Sequence, residues 1–551
     1  MKSLSSCVRA RAFLLLIFIG PMGLCSPMKA MESTEATAPK RELRAVWVTT
    51  LSGLDWPRTK ATNAATRAQQ QRELCQLLDQ LKAAGINTVL LQTRVRGSVI
   101  YPSAIEPWDV ALTGAFDRDP GYDPLRFAIE ETHRRGMELH AWVVTIPAFK
   151  QVVAKQMGSR GLLKTHPELL RKHADMYYLD PGLPATADYL LRICHEIVSR
   201  YDVDGLHFDY IRYPENATSF NDGATFKRYA AKGVGKASWR RDNITRIVRR
   251  IYEDVKAVKP WVRVSSSPVG KYADVSRFPS RGWNARDAVH QDAEGWLRMG
   301  IHDILFPMMY FDGNHFYPFA ADWQEQSFGR FVAPGLGIYF MHPNEKNWPL
   351  GVIERQLHYL RDQGLAGQCY FRSKFLTDNV KGLYDYLRSD FYAFPAMPPA
   401  CTWLDNVAPS VPTRAESAEG TLAWLPSSDN MGGGVRYNVY ASREWPVDVR
   451  SAKNLVSTLQ PDTHFSYNRP TSVGYYFAVT AVDRCGNESD ALQFSNHADN
   501  ATHTVGRLPL DAQGHVRGLV YRPLPTAERK AMEKAKNKAR KKKSNSVRNR
   551  F

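Results

Sequence analysis

The segment best suited to chemistry is Gly205–Ile211, which reads GLHFDYI and places two polar residues within an apolar run. Side chains alternate between the two faces of an extended strand, so we expect His207 and Asp209 to point to the same side. Burying such a pair is costly unless it is hydrogen-bonded or functional. An inward carboxylate near an imidazole and aromatic rings suits a sugar site, because hydroxyl groups need polar partners and pyranose rings stack on aromatic faces.

Hydrolysis of a glycosidic bond ordinarily uses two carboxyl groups, one that protonates the leaving oxygen and one that acts as nucleophile or base. We predict that Asp209 is the nucleophile or general base. The alternative is a structural carboxylate that forms an ion pair with Arg94 or Arg212.

The sequence leaves the second carboxyl group open. Asp312 is the first candidate for the general acid, because the aromatic residues directly before it would form an apolar pocket that raises its pKa. Glu215, in the segment YIRYPE, is the second candidate. Asp180 and Asp109 lie in other loops that we expect at the same end of the fold, where each could equally be a turn or cap residue.

A repeated strand–helix unit must position these residues. Between residues 44 and 372, apolar β-branched runs alternate with amphipathic segments such as Arg67–Ala84, where leucines recur on one face and Gly85 follows. Eight such runs predict an α/β fold, a (β/α)8 TIM-type barrel, and no GxGxxG or GxxxxGK[ST] follows the first run to favour an open doubly wound sheet. The runs are RAVWVTT (44–50), NTVLLQTR (87–94), ELHAWVVT (138–145), GLHFDYI (205–211), VRVSSS (262–267), DILFPMMYF (303–311), VAPGLGIYF (332–340) and GQCYFR (367–372).

Active sites of such barrels lie at the carboxyl ends of the strands. We predict that Trp47, Trp142 and Tyr310 are sugar platforms, and that His207, Arg94 and Arg212 orient the substrate or stabilise charge. The histidines show no HExxH spacing and no GxSxG elbow occurs, so we predict neither a metal nor a cofactor, nor a serine hydrolase. The full set of predicted substrate-binding residues is Trp47, Gln92, Arg94, His140, Trp142, His207, Tyr210, Arg212 and Tyr310.

The sequence changes character after Pro399. Between residues 408 and 500, strand-like segments such as VRYNVYA (435–441) and GYYFAVTAV (474–482) alternate with Gly, Asn and Asp turns, which predicts a small all-β sandwich. The run YYFAVTAVDRCGNES resembles the last strands of a fibronectin type III domain. Such a domain usually serves as a spacer or docking unit.

Both ends of the chain carry targeting or charge signals. Residues 1–30 combine a basic start, a short apolar run from Ala12 to Ile19 and small residues beyond it, which indicates a secretory signal. Cys25 is a candidate for lipid attachment. Of the net charge of +18, residues 528–551 supply +9 through eleven Lys/Arg and two Glu. We therefore predict that residues 501–551 form a basic, disordered tail that could meet an anionic envelope polymer.

Ten segments in the barrel region, in consistent order, are similar to glycosyl hydrolase-like family 10. They are LRAVWVTT (43–50), LDWP (54–57), GINTV (85–89), QTR (92–94), YPS (101–103), EPW (106–108), LTG (112–114), PGYDPL (120–125), RGMELHAW (135–142) and DGLHFD (204–209). The resemblance implies a glycoside hydrolase barrel over residues 40–400 in the bacterial cell envelope. Its divisome-localised kind acts on peptidoglycan glycan strands stripped of their stem peptides, and Asp209 matches the family's strand-four aspartate.

Tyr210 departs from this family, which commonly has a second Asp directly after the first. The phrase FDYIRYP instead resembles a sister group of glycosidases, so we do not expect a mechanism with two adjacent aspartates. The chitinase-like pattern DGxDxDxE is also broken, because His207 and Ile211 occupy the places of its second Asp and its Glu. That motif therefore gives no support for substrate-assisted hydrolysis.

These observations predict an exported glycosidase of the periplasm or cell envelope that cleaves O-glycosidic bonds, preferably in peptidoglycan glycan and otherwise in another polysaccharide. The competing prediction is a non-catalytic glycan-binding or scaffold protein on the same barrel. A hydrolase should place a second carboxyl group within roughly 5–10 Å of Asp209. We expect no nucleic-acid partner, because the signal segment directs the chain out of the cytoplasm, and no transmembrane helix in the mature chain.

Overall fold

The computed structural model describes residues 38–278, 282–418, 420–467, 475–495 and 504–508. The predicted signal segment 1–30 with Cys25, and all of the predicted tail except residues 504–508, lie outside the described residues. Within the described ranges, none of the helices combines the length and the apolar character that a membrane crossing requires.

Residues 43–370 form a closed barrel of parallel strands. Strand 8 pairs with strand 1, and strands 6 and 7, each interrupted once, pair with each other through both of their halves. The sheet of ten short segments therefore returns on itself, which confirms the predicted TIM-type architecture. The strands are strand 1 (Leu43–Val48), strand 2 (Thr88–Arg94), strand 3 (Glu138–Val144), strand 4 (Gly205–Asp209), strand 5 (Arg263–Ser266), strand 6 (Ile304–Leu305 and Met308–Met309), strand 7 (Phe331–Val332 and Gly335–Leu336) and strand 8 (Gly367–Tyr370).

The strands are apolar along nearly their whole length because both of their faces are covered. Val46 and Leu91 pack in the large cluster that includes the outer helices, whereas Trp47, Leu90 and Trp142 belong to a separate cluster in the barrel interior. Every residue of strands 1 to 4 is buried. This burial on two sides is typical of parallel sheets and explains why the runs do not alternate strictly.

Helices cover the outside of the barrel. The first is capped by Asn63, whose side chain accepts from the backbone N–H of Thr66, and the second begins at Pro124 after the cap residue Asp123. The first helix, Ala64–Ala83, covers nearly all of the predicted segment Arg67–Ala84, because caps and apolar spacing are local signals. The longer helices are Ala64–Ala83, Pro124–Arg134, Pro184–Arg200, Lys236–Val258, Tyr317–Glu325 and Leu350–Asp362. Shorter ones are Val110–Thr113, Leu162–Thr165, Gly223–Tyr229, Ala285–Ala288, Ala293–Arg298, Ser373–Thr377 and Leu383–Tyr386.

A small antiparallel sheet follows strand 3 and is called here the insert sheet. Its strands are Pro147–Lys150, Leu170–His173 and Met176–Leu179, with the last of these in the middle. The insert begins only three residues beyond strand 3, so it lies at the carboxyl end of the barrel, where it forms one side of the site described below.

Two antiparallel sheets follow the barrel. One contains Thr413–Ala418, Thr421–Leu425 and His464–Ser466, and the other contains Arg436–Ser442, Leu455–Gln460, Tyr476–Val482, Ala491–Ser495 and Thr504–Leu508. Leu422 and Trp424 of the first sheet share a core with Tyr437, Val439 and Phe477 of the second. The predicted all-β character is thus present, while the assignment to fibronectin type III stays a prediction.

The C-terminal sheets contact the amino end of the barrel. Asp204, directly before strand 4, forms ion pairs with Arg436 at 2.7 Å and Arg484 at 3.1 Å. Trp403 donates from its indole N–H to Asp303, directly before strand 6. These contacts lie at the end of the barrel opposite to the one that carries Asp209.

Candidate active site

Asp209 ends strand 4, and its carboxylate is held by the two neighbouring strands. Oδ2 accepts from the indole N–H of Trp142 at 3.2 Å, and Oδ1 accepts from the Ser267 hydroxyl at 3.1 Å and from the backbone N–H of Tyr210 at 2.8 Å. Only 6 % of the residue is exposed. The carboxylate therefore lies at the carboxyl end of the barrel with both oxygens oriented by named donors.

Burial dominates the electrostatics of this carboxylate. Removal from water raises the pKa of Asp209 above its ordinary value, although the Ser267 hydroxyl, the Arg212 guanidinium and the other donors favour the ionised form. A carboxyl group with a raised pKa at the end of a barrel strand is suited to proton transfer.

The backbone after Asp209 is strained. Tyr210 has φ of +51°, in the left-handed region that non-glycine residues rarely adopt. Thr145 supports the turn, because both its backbone N–H and its hydroxyl donate to the carbonyl of Asp209. Strain of this kind persists only where surrounding contacts enforce it, and it is frequent at functional sites.

His207 and Trp47 lie in the barrel interior rather than in an open cleft. The Trp47 indole donates to Nε2 of His207 at 3.1 Å, so this nitrogen is the acceptor and Nδ1 carries the proton toward the Ser265 hydroxyl at 3.0 Å. Burial, and then the neighbouring histidines 140 and 302, lower the pKa of His207 well below its ordinary value. Trp47 is 2 % exposed, so its predicted role as a sugar platform would require an opening that this structure does not show.

Arg94 and Gln92 of strand 2 are occupied by structural contacts. Arg94 is fully buried and forms a two-pronged ion pair with Glu106, at 2.8 and 2.7 Å, and its remaining nitrogen donates to the carbonyls of Val144 and Thr145. The Gln92 side-chain oxygen accepts from two backbone N–H groups of the loop after strand 1. Arg94 is therefore fully engaged by protein groups, and Gln92 is held through its side-chain oxygen.

His140 is also placed within the barrel. It is fully buried, 3.5 Å from Glu138, and its ring lies over the Cα of Gly205, where any side-chain carbon would clash. The three predicted binding residues Arg94, Gln92 and His140 therefore support the strands in this structure, and their predicted contact with the substrate remains a prediction.

Two cations and several aromatic rings gather around Tyr210 at the mouth. The Arg212 guanidinium lies 4.7 Å from the ring centre of Tyr210 and 5.4 Å from that of Trp283, which is 46 % exposed. Arg96 lies within electrostatic range of the phenols of Tyr210 and Tyr178, and both cations oppose the rise in pKa that burial causes in those phenols. This group therefore lies around Tyr210, the residue that directly follows Asp209.

Glu215 belongs to this group, whereas Asp312 lies on another loop. Glu215 is mainly exposed and lies 3.5 Å from the Arg212 guanidinium. Its charge, like that of Asp209, raises the pKa of the Tyr210 phenol, so both carboxyl groups lie near this ring. Asp312 is exposed at the start of the short turn Gly313–His315.

Tyr310, at the end of strand 6, continues the aromatic surface. Its ring stacks on Phe371 with centres 5.4 Å apart and meets Tyr339 edge-on at 5.8 Å. Burial, followed by the charges of Cys369 and Asp209, raises the pKa of Tyr310 well above its ordinary value. The structure thus brings Tyr310 close to Asp209, as the sequence predicts.

Four residues of the site are not predicted from the sequence: Arg96, Tyr178, Ser267 and Trp283. Arg96 and Ser267 lie one or two residues beyond a strand end, where strand alternation no longer predicts direction. Tyr178 lies in the insert sheet and Trp283 lies in a loop. Only the folded structure shows that these two residues come close to the ends of the barrel strands.

Comparison with known proteins identifies a protein family that this chain matches. Residues 42–331 match the family model described as glycosyl hydrolase-like 10. The chain is 30 % identical over 509 residues to the glycosyl hydrolase YngK of Bacillus subtilis, covering 87 % of this chain and 97 % of YngK. It is 34 % identical over 310 residues to the glycosyl hydrolase DigH of Escherichia coli, covering 53 % of this chain and 69 % of DigH. Among solved structures, the PgaB (BpsB) glycoside hydrolase domain of Bordetella bronchiseptica has a TM-score of 0.44 at 14 % identity, covering 63 % of this chain and 98 % of that domain.

Proposed function

Because this chain belongs to glycosyl hydrolase-like family 10, we propose that it is an exported glycosidase that cleaves O-glycosidic bonds of a polysaccharide, preferably of peptidoglycan glycan strands. The observation that supports this most is Asp209, a buried carboxyl group with a raised pKa at the carboxyl end of strand 4. Its donors, Trp142 and Ser267, come from strand 3 and from the end of strand 5, so three successive strand ends build the site.

The geometry favours a specific division of roles. Asp209, with its raised pKa, is suited to be the general acid that protonates the leaving oxygen. Glu215, beside the Arg212 cation and open to the cleft, is then the stronger candidate for the nucleophile or base. Asp312 has a weaker claim, because it is exposed on the loop after strand 6 and its predicted apolar pocket is missing.

Two cations at the mouth favour an anionic glycan. Arg212 lies 3.5 Å from Glu215, and its positive charge acts on the phenols of Tyr178 and Tyr210. Arg96 lies near the same tyrosines. Peptidoglycan strands without stem peptides carry a free lactyl carboxylate on every second sugar, which such guanidinium groups would bind. Tyr210, Tyr310 and Trp283 offer ring faces for the sugars themselves.

Digestion of cell-wall sacculi tests the proposal. The purified protein is incubated with intact and with peptide-stripped sacculi, and the soluble products are identified by mass. We expect release of glycan fragments from the stripped material, and a loss of turnover of roughly 10²–10⁴-fold in Asp209→Asn and in Glu215→Gln. Asp312→Asn serves as the matched control and should retain turnover.

Three outcomes would contradict the proposed activity or the roles assigned within it. Near-wild-type turnover of Asp209→Asn would remove Asp209 from the chemistry. Retention of the stripped glycan without any cleavage, by a wild-type protein that is folded, would favour the alternative of a glycan-binding or scaffold protein. A large effect of Asp312→Asn with none of Glu215→Gln would reassign the second carboxyl group.

A further inference from the structure

Three carboxylates from three separate turns converge at one edge of the C-terminal sheets. Asp405 lies in the connection after the barrel, Asp429 follows strand Thr421–Leu425, and Asp483 follows strand Tyr476–Val482. One oxygen from each lies within 4.8 Å of the others. In the ranges that the structure describes, none of the three forms an ion pair with Lys or Arg, so no cation of these ranges balances their negative charge.

Two of the converging oxygens lack any donor. Asp405 Oδ2 and Asp429 Oδ1 are closed off from solvent and accept no hydrogen bond from the described residues. The other oxygen of each carboxylate is held in place: Asp405 Oδ1 accepts from the N–H of Val407 at 3.1 Å and from the Asn430 amide at 3.2 Å, and Asp429 Oδ2 accepts from the N–H of Met431 at 3.0 Å. Asp405 and Asp429 are thus each held through one oxygen, while the other oxygen has no donor among the described residues.

Asp483 is the most buried member, with 4 % of the residue exposed. Its oxygens accept from the backbone N–H and from the side-chain amide of Asn487, both at 2.8 Å. Asp405 and Asp429 each bring a carboxylate oxygen to within 4.8 Å of one of these oxygens. The three groups therefore repel one another in the absence of a cation. Buried carboxylate oxygens without donors are costly, and a bound cation is the usual compensation.

We propose that Asp405, Asp429 and Asp483 bind one calcium ion. The donors are all carboxylate oxygens, which is the ligand type that hard cations prefer, and the spacing of the three oxygens can be spanned by one ion with ligands at about 2.3–2.6 Å. Calcium takes six to eight oxygens in flexible geometry, so backbone carbonyls and water can complete the shell. Zinc and copper are disfavoured, because the cluster has neither imidazole nor thiolate ligands.

The ion would fasten the segment that leaves the barrel to the C-terminal sheets. Asp405 already joins them, since its carbonyl accepts from the Asn487 side chain at 3.0 Å, and the N–H of Cys401 donates to the carbonyl of Cys485 at 2.7 Å. A cation between Asp405 and the two turns would strengthen this junction. The site is separate from the barrel mouth, so it does not depend on the proposed glycosidase activity.

Calorimetric titration of the full-length protein tests the site. The protein is treated with a chelator and then titrated with calcium chloride, and in a separate experiment with magnesium chloride. We expect one calcium per chain, weaker binding of magnesium, and at least ten-fold weaker calcium binding in Asp405→Asn and Asp429→Asn. Asp462→Asn, at an exposed carboxylate of the same sheets, is the matched control and should bind calcium like the wild type.

Thermal unfolding separates a metal site from a purely structural cluster. With chelator present, Asp429→Asn should melt at or above the wild-type temperature, because one of three repelling charges is gone. With calcium present, the order should reverse, because only the wild type gains the ion. No calcium binding by the folded wild type, or equal weakening by Asp462→Asn, would overturn the proposal. Magnesium binding as tight as calcium binding would overturn the choice of calcium.

Discussion

Arg94 and Arg96 lie two residues apart at the end of strand 2, and the structure assigns them different tasks. Arg94 is fully buried against Glu106, whose carboxylate also accepts from the Tyr189 hydroxyl at 2.7 Å. Arg96 lies at the mouth near the phenols of Tyr178 and Tyr210. We predict that Arg94→Met mainly lowers stability and that Arg96→Met mainly lowers glycan binding.

The size of the stability loss in Arg94→Met follows from the Glu106 charge that is left without its partner. Methionine removes both prongs of the ion pair and leaves the Glu106 carboxylate buried with the Tyr189 hydroxyl as its remaining side-chain donor. Breaking a buried pair on one side costs about 3–5 kcal/mol. With an unfolding entropy of about 2.1 cal/mol/K per residue, this corresponds to a fall in melting temperature of roughly 4–7 °C for a barrel of this size.

Calorimetry and glycan binding measure the two effects side by side. Arg94→Met should melt several degrees lower, and the double variant Arg94→Met/Glu106→Met should recover part of the loss, because no unpaired charge remains. Arg96→Met should lose less stability than Arg94→Met, because Arg96 is only half-buried and forms no ion pair among the described residues, while its binding of peptide-stripped glycan weakens. Unchanged stability of Arg94→Met together with lost glycan binding would refute the reasoning, since Arg94 would then contact the substrate.

Four further predictions concern buried ionisable groups. Asp209→Asn should raise the melting temperature at pH 7.5, because the raised pKa of Asp209 means that its ionised form destabilises the folded protein. This gain in melting temperature should shrink as the pH falls toward about 3.9, the ordinary pKa of Asp. Trp142→Phe removes a donor to the ionised Asp209 carboxylate, so the limb of the pH–activity profile that reports this group should move to higher pH. Glu294 has a pKa raised to about 8, chiefly by burial, so Glu294→Gln should stabilise the protein above pH 8 and progressively less as the pH falls toward about 4.3. Asp204→Asn should cost about 3–5 kcal/mol in urea unfolding at pH 7, because Asp204 pairs with two buried arginines; a loss below about 1 kcal/mol would contradict this.

The barrel could be predicted because its signals are local. Apolar β-branched runs, amphipathic helices and cap residues recur within windows of a few residues, and the observed strand 4, Gly205–Asp209, falls inside its predicted segment. The position of Asp209 followed from the same pattern, since the end of a barrel strand is where function lies. Closure through two interrupted strands could not be predicted, because it depends on pairing between distant segments.

Which polar side chains pair with each other could not be predicted from the sequence. Nothing near Arg94 in the strand distinguishes it from Arg96, and the partner that buries it, Glu106, lies twelve residues away in a loop. From the sequence alone, Asp209 is one possible ion-pair partner for Arg94, whereas the structure pairs Arg94 with Glu106. The acidic cluster of the C-terminal sheets was missed for a similar reason, since its three members come from turns widely separated in sequence.

The buried pair at Arg94 also bears on how the reactive carboxyl group is held. The Arg94 guanidinium fixes the carbonyls of Val144 and Thr145, and Thr145 in turn donates twice to the carbonyl of Asp209. This chain of contacts links the ends of strands 2, 3 and 4 directly below the strained Tyr210. A buried carboxyl group with a raised pKa lowers the stability of the folded protein when it is ionised. The protein tolerates this loss of stability because rigid contacts hold the group in place. Arg94 therefore serves the proposed chemistry by positioning Asp209, although it does not face the substrate.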